Sequence, residues 1–75
     1  MNREEKLLAI AADILDMDQS ELTLESSRND IEDFDSLSVI QIIAEMCDAF
    51  GVVISDEKVN DIQIEKIGDF LKLLD

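Results

Sequence analysis

A chain of 75 residues, 47% hydrophobic and 33% charged, has enough apolar side chains for one small core and too little length for two, so a single domain spanning residues 1–75 is expected. Nineteen acids against six bases leave a formal charge of -13. That excess excludes nucleic acid and anionic membranes as partners, favours a monomer by self-repulsion, and suits proteins that carry basic docking patches. With no His and a single Cys, the chain lacks a base for a serine nucleophile, an internal disulfide and any metal-site spacing, so it is expected not to be an enzyme and to hold no metal.

The opening Met1-Asn2-Arg3-Glu4-Glu5-Lys6 has no apolar stretch of signal-peptide type, and the longest apolar run is Leu7 to Ala12. Both point to a soluble, cytoplasmic chain. From about Arg3 to Asp16, Leu7, Ile10, Ala11 and Ile14 recur every three or four residues, which predicts an amphipathic first helix. The periodicity dissolves between Met17 and Asp35 into a long loop pinned by Leu22, Leu24, Ile31 and Phe34. A loop of that length in so small a domain needs a purpose; here it delivers Ser36 to the surface.

A second helix is expected from Ser36 to Phe50, closed by Gly51, since glycine accepts the left-handed conformation that ends helices. Val52-Val53-Ile54 is too short and too β-branched for a helix and is expected as a buried extended connection. Ser55 followed by Asp56 and Glu57 caps a short third helix to about Asn60 or Asp61. Ile64, Ile67, Leu71 and Leu74 then predict a last helix from about Gln63 to Leu74, weakened inside by Gly68. The fold class expected is all-α: a four-helix bundle of three longer helices and a short third one, with a long loop between the first two.

At about 100° per residue, Val39, Ile40, Ile43, Met46, Cys47 and Phe50 lie within about 60° of Ile43 and form the predicted core stripe of the second helix. Cys47 on that stripe reads as a small buried residue. Leu37, Gln41, Ala44 and Asp48 form a separate ridge starting beside Ser36. Asp30, Glu32, Asp33 and Asp35 cluster before the serine; acids there satisfy the helix dipole or steer a basic partner.

Ser36 itself sits in Asp35-Ser36-Leu37, where the polar loop meets the apolar helix. A phosphate joined to its hydroxyl would face free backbone N–H groups and the positive end of the helix dipole, which makes it an attachment point. Two other readings compete. Serine is a common N-cap, so the chain could be a plain helical interaction domain. Asp16-Met17-Asp18-Gln19-Ser20 begins like a calcium loop, yet Glu21 stands at the sixth position, where glycine is needed, and Ser27 at the twelfth, where glutamate is needed, so an acidic calcium-binding protein fits poorly.

Phe34-Asp35-Ser36-Leu37, opening a helix that ends in Phe50-Gly51, resembles the acyl carrier protein family, and the resemblance extends along the whole chain. It implies that Ser36, flanked by Asp35 and Leu37, is esterified with 4'-phosphopantetheine by a separate magnesium-dependent phosphopantetheinyl transferase. The arm's thiol then carries acyl or aminoacyl groups as thioesters to acyl-transferring, ligating or condensing enzymes with basic docking patches. Docking would use the ridge of Leu37, Gln41, Ala44 and Asp48 with the acids Asp33, Glu45, Asp56 and Glu57, and short acyl chains would tuck among Ile43, Met46, Ile54 and Ile64. Ser38, Gln41, Cys47 and Ala49 stand where carriers of the fatty-acid type often have acids, and Ala44 is small. This weaker docking code suggests a specialised fatty-acid, polyketide or lipid-related pathway, with a D-alanyl or other aminoacyl carrier as the alternative. Asp33-Phe34 lacks the glycines common before the serine of peptidyl carriers.

Overall fold

A computed structural model describes residues 2–74, and among these the only regular elements are helices. The first, α1 (Arg3–Leu15), begins where Asn2 Oδ1 accepts the Glu5 N–H at 2.8 Å and carries Glu4 and Glu5 in its first turn, so cap and charges both suit the exposed N–H groups. It ends as Asp16 turns left-handed at φ 56, a conformation that Asp tolerates better than bulkier residues. Leu7, Ala11 and Leu15, each four residues from the next, bury one stripe against the second helix and the closing one.

The 17–35 loop contains one 3-10 turn (Gln19–Glu21) and is anchored by Leu22, Ile31 and Phe34, all buried, with Leu24 half-buried. The second helix, α2 (Ser36–Phe50), has the expected bounds, and Gly51 stops it at φ 66. The short α3 (Asp56–Asp61) is capped by Ser55 Oγ, which accepts the Lys58 N–H at 3.2 Å. No helix of the described residues is long and apolar enough to cross a membrane.

Three expectations need correction. The segment Val52-Val53-Ile54 is not buried throughout: Val53 is 98% exposed, whereas Val52 and Ile54 are half-buried. Side chains of an extended segment alternate between faces, so when its neighbours pack inward Val53 is turned to solvent.

The core stripe of α2 is also rotated from its expected position. Ile42 is 0% exposed and shares the interior with Ser38, Val39 and Met46, whereas Ile40 is 63% exposed and Ile43, Cys47 and Phe50 are only half-buried. The buried set is centred roughly 90° round the helix from Ile43, at about 100° per residue. Val39, Ile40, Ile42 and Ile43 make this stretch apolar nearly all round, so hydropathy alone supports two stripes; packing against α1 selects the one through Ile42.

The last helix starts later and is wound more tightly than expected. It is a 3-10 helix, Ile67–Leu74, and Gln63 to Lys66 lie outside it. The backbone of those preceding residues is already engaged: the Arg28 N–H donates to the Glu65 carbonyl at 2.8 Å, and Ser27 and Lys66 form an antiparallel bridge. The Glu65 and Lys66 N–H groups donate to Asp69 Oδ2 at 2.9 and 3.0 Å. The loop reaches into the helix start as well, where the Ser26 and Leu24 carbonyls accept the Ile67 and Gly68 N–H groups, both at 2.9 Å. Ile67, Phe70 and Leu73 are buried at a spacing of three, the repeat of a 3-10 helix, in which such residues share one face. Phe70 lies against Phe34 of the loop, ring centroids 6.1 Å apart and planes 15° from parallel. The closing helix and the loop before α2 are therefore stitched together by backbone, by this aromatic pair and by an exposed Lys66–Glu25 ion pair of 3.1 Å.

Candidate functional site

The start of α2 is built from the loop side by Phe34, whose N–H donates to the Ile31 carbonyl at 3.2 Å and whose ring is buried against Phe70. That anchor precedes Asp35 directly, so the chain enters the helix from a fixed point. Asp35 is the N-cap: its Oδ1 accepts the Ser38 N–H at 3.0 Å, and its carbonyl accepts the Val39 N–H at 3.0 Å. Ser38 answers it. The Ser38 hydroxyl accepts the Asp35 N–H at 2.8 Å and donates to the Asp35 carbonyl at 2.9 Å, completing a reciprocal capping box.

Ser36 is thereby the first helical residue and not the cap. Its side chain is exposed, and among the described residues its hydroxyl makes no hydrogen bond. The reading of Ser36 as an ordinary N-cap is displaced, because Asp35 and Ser38 do all the capping. The N–H groups of Ser36 and Leu37 likewise have no protein acceptor among the described residues. An open oxygen beside two free N–H donors at the positive end of a 15-residue helix suits a covalently attached phosphate.

Along the outer face of α2, Leu37 is 64% exposed and Gln41, Ala44 and Asp48 are exposed with it. Ile40, assigned to the core by periodicity, extends this ridge instead, three residues from Leu37 and four from Ala44. Asp33, Asp35, Glu45, Asp56 and Glu57 are all exposed. Nothing basic stands on α2, whose charges are Glu45 and Asp48 alone, so the ridge is apolar at its serine end and acidic toward the other.

The four residues expected to line an acyl-chain site divide in two. Met46 and Ile64 are buried, Ile43 and Ile54 half-buried, and all belong to or pack against one hydrophobic cluster. Two surface clefts open elsewhere, one along Asn2, Arg3, Glu4 and Leu71, the other along Ser27, Arg28, Asn29, Glu65 and Lys66.

Sequence reasoning overlooked two participants, Ile40 and Ser38. No periodicity argument separates Ile40 from Ile42, but Ser38 carried a signal. An Asp at N-cap with a hydroxyl residue at N3 is a variant of the capping-box pattern, whereas its neutrality suggested only a missing docking charge. Ser38 is 6% exposed, the one polar side chain buried among the described residues.

Comparisons with known proteins show what the whole chain is similar to. Residues 5–74 match the family model described as the phosphopantetheine attachment site. The chain is 42% identical over 76 residues to an acyl carrier protein of Rubrobacter xylanophilus, covering 95% of this chain and 93% of that one. It is 42% identical over 67 residues to an acyl carrier protein of Streptococcus pneumoniae, covering 89% and 84%.

Proposed function

This chain belongs to the acyl carrier proteins, whose cofactor is 4'-phosphopantetheine, and from that premise we propose that Ser36 is the attachment residue and that residues 1–75 act as one carrier domain. The observation that carries the proposal is the state of the Ser36 hydroxyl: exposed, without a hydrogen-bond partner among the described residues, and relieved of capping by Asp35 and Ser38. When bound, the group supplies a flexible arm ending in a thiol that holds an acyl chain as a thioester. The chain's own residues present the serine and leave chemistry to others.

Attachment would require the Ser36 oxygen to bond the pantetheine-side phosphorus as the pyrophosphate of coenzyme A breaks, with adenosine bisphosphate leaving and the hydroxyl proton passing to a base. The chain has no His, and the Asp35 carboxylate beside Ser36 is engaged by the Ser38 N–H, which favours a base supplied by the transferase. Once the ester forms, the Ser36 and Leu37 N–H groups stand ready to hydrogen-bond the phosphate oxygens and the helix dipole favours their charge. Leu37, Ile40 and Ala44 supply apolar contact to visiting enzymes, while Glu45 and Asp48, with Asp33, Asp56 and Glu57, attract their basic patches and raise encounter rate. A cytoplasmic setting, where coenzyme A and the transferase are at hand, belongs to the same proposal.

The neutral Gln41, Ala44 and Ala49 on the exposed side of α2 support a specialised pathway in lipid or polyketide-like chemistry over a general one. Incubation with coenzyme A, magnesium and a broad-specificity phosphopantetheinyl transferase tests the site directly. Intact mass should rise by one phosphopantetheine in the wild type and by none in Ser36→Ala; equal labelling of the two would remove Ser36 from the assignment.

A further inference from the structure

We propose that Ser38 is the positioning residue of the attachment reaction: its buried hydroxyl fixes where α2 begins and so holds the Ser36 oxygen at a set place and direction for the incoming phosphorus. The inference rests on Ser36 being the attachment residue, and the test below separates the two.

Geometry singles out Ser38 among the neighbours of Ser36. Both hydrogen-bonding capacities of its hydroxyl are spent on one residue, accepting from the Asp35 N–H at 2.8 Å and donating to the Asp35 carbonyl at 2.9 Å. The Ser38 N–H closes a third bond to Asp35 Oδ1 at 3.0 Å. These three bonds span the single turn that contains Ser36 and Leu37, the two residues whose N–H groups have no acceptor at the helix start. On its N-terminal side, position 36 is therefore held by the bracket around it and not by a bond from its own N–H or hydroxyl.

Without the hydroxyl, the bracket loses two of its three bonds. The Asp35 N–H keeps a second acceptor, the Asp33 carbonyl at 3.1 Å, and the Asp35 carbonyl keeps the Val39 N–H. Both remaining partners are compatible with a helix that frays by a residue, because neither ties Asp35 to the side chain at N3. Helix ends shift more easily between adjacent starts when the cap that selects one is weakened, here to the single bond from the residue-38 N–H to Asp35 Oδ1, and displacing a reacting atom by about 1 Å can cost on the order of 10²-fold in rate. Ile40 and Ala44 of the docking ridge lie further along the helix and stay in register. The loss should therefore fall on the chemical step and not on carrier binding.

The experiment compares steady-state phosphopantetheinylation of full-length wild type, Ser38→Ala, Ser38→Cys, Ser38→Thr and Asn2→Ala by a purified transferase, varying the carrier at saturating coenzyme A. Ser38→Ala should lower kcat about tenfold with KM for the carrier within twofold, and Thr, which restores the hydroxyl, should recover most of kcat. Cys, similar in size but a weak hydrogen bonder, should fall between. Asn2→Ala removes the corresponding cap from α1, and should leave kcat unchanged even where its melting temperature falls as far. Amide hydrogen exchange at Val39, the first N–H bonded into α2, should quicken about tenfold in Ser38→Ala and stay at the wild-type rate in Asn2→Ala. Wild-type kcat in folded Ser38→Ala, no rescue by Thr, or an equal loss in Asn2→Ala at equal stability would each overturn the proposal. A wild type that takes up no label at residue 36 overturns the attachment site instead.

Discussion

The Phe34–Phe70 contact should couple the closing helix to the segment that delivers Ser36, and a double-mutant cycle can measure it. Both rings are buried, 6.1 Å between centroids and nearly parallel, a separation at which aromatic pairs contribute about 0.5 to 1.5 kcal/mol beyond simple burial. Phe→Leu at either position keeps most of the apolar volume, so each single change should cost about 1.5 kcal/mol. A chain of this length has a total stability of roughly 4 to 11 kcal/mol at 0.05 to 0.15 kcal/mol per residue, so both single variants and the double variant should remain folded. At about 4 to 8 °C per kcal/mol for domains of this size, each single change should lower the melting temperature by roughly 6 to 12 °C. The second substitution has no ring left to part from, so the double variant should lose about 0.5 to 1 kcal/mol less than the two singles together. Urea denaturation followed by circular dichroism gives the four stabilities. Additivity to within about 0.3 kcal/mol would refute the coupling and leave the two rings as independent fillers of one core.

Gly51→Ala should destabilise by about 1 to 2 kcal/mol, because its Cβ meets nothing within 4 Å and the entire penalty comes from holding φ at +66; Gly51→Asn should cost less, and equal melting temperatures for all three would contradict the left-handed cap. Gly68→Ala should destabilise rather than give the usual gain of up to about 1 kcal/mol from adding alanine to a helix, since the new Cβ would sit 3.1 Å from the Leu24 carbonyl oxygen and 3.3 Å from Leu24 Cβ; a higher melting temperature would show that the stitched loop yields freely. Burial raises the Asp69 carboxyl, but the Glu65 and Lys66 N–H groups and the Lys72 ammonium outweigh it and hold the group below its usual 3.8. Its contribution should therefore be fully present above the unfolded value and disappear as pH falls through the lower folded one, so the stability gap between wild type and Asp69→Asn should be level above about pH 5 and close below it; a gap unchanged down to pH 2 would contradict this. Leu37→Ala and Ile40→Ala should each slow modification several-fold while moving the melting temperature by less than about 3 °C, because both side chains are mostly exposed; labelling at the wild-type rate would remove them from the docking surface.

How legible each element was depended on whether its determinants are local. The bounds of α2 could be read because Asp35 and Gly51 act on adjacent residues, and the short α3 because Ser55 does the same. The closing helix could not, since its start is decided by Ser26, Arg28 and Leu24, some forty residues earlier in the chain, which engage the backbone of Glu65, Ile67 and Gly68. Its apolar residues fit both windings: Ile64, Ile67, Leu71 and Leu74 recur as in an α-helix, and Ile67, Phe70 and Leu73 as in a 3-10 helix. Ser36 stood out because motif, charge and helix start coincide at one point. The neighbouring Ile40 and Ile42 differ in nothing but direction, and direction belongs to the packing of α1.

Burial of Ser38 divides the uncharged positions of α2 considered for docking into those open to redesign and one that is closed. An acid introduced at Gln41, Ala44 or Ala49 would meet solvent and add to the exposed negative charge of the helix, at little cost to folding. The same acid at position 38 would stand in a nearly sealed space facing the Asp35 N–H, where it would serve the cap, as acids at N3 do, instead of presenting charge to a visitor. Retargeting this carrier toward enzymes that demand a more acidic helix therefore has three addresses available, and position 38 is not among them.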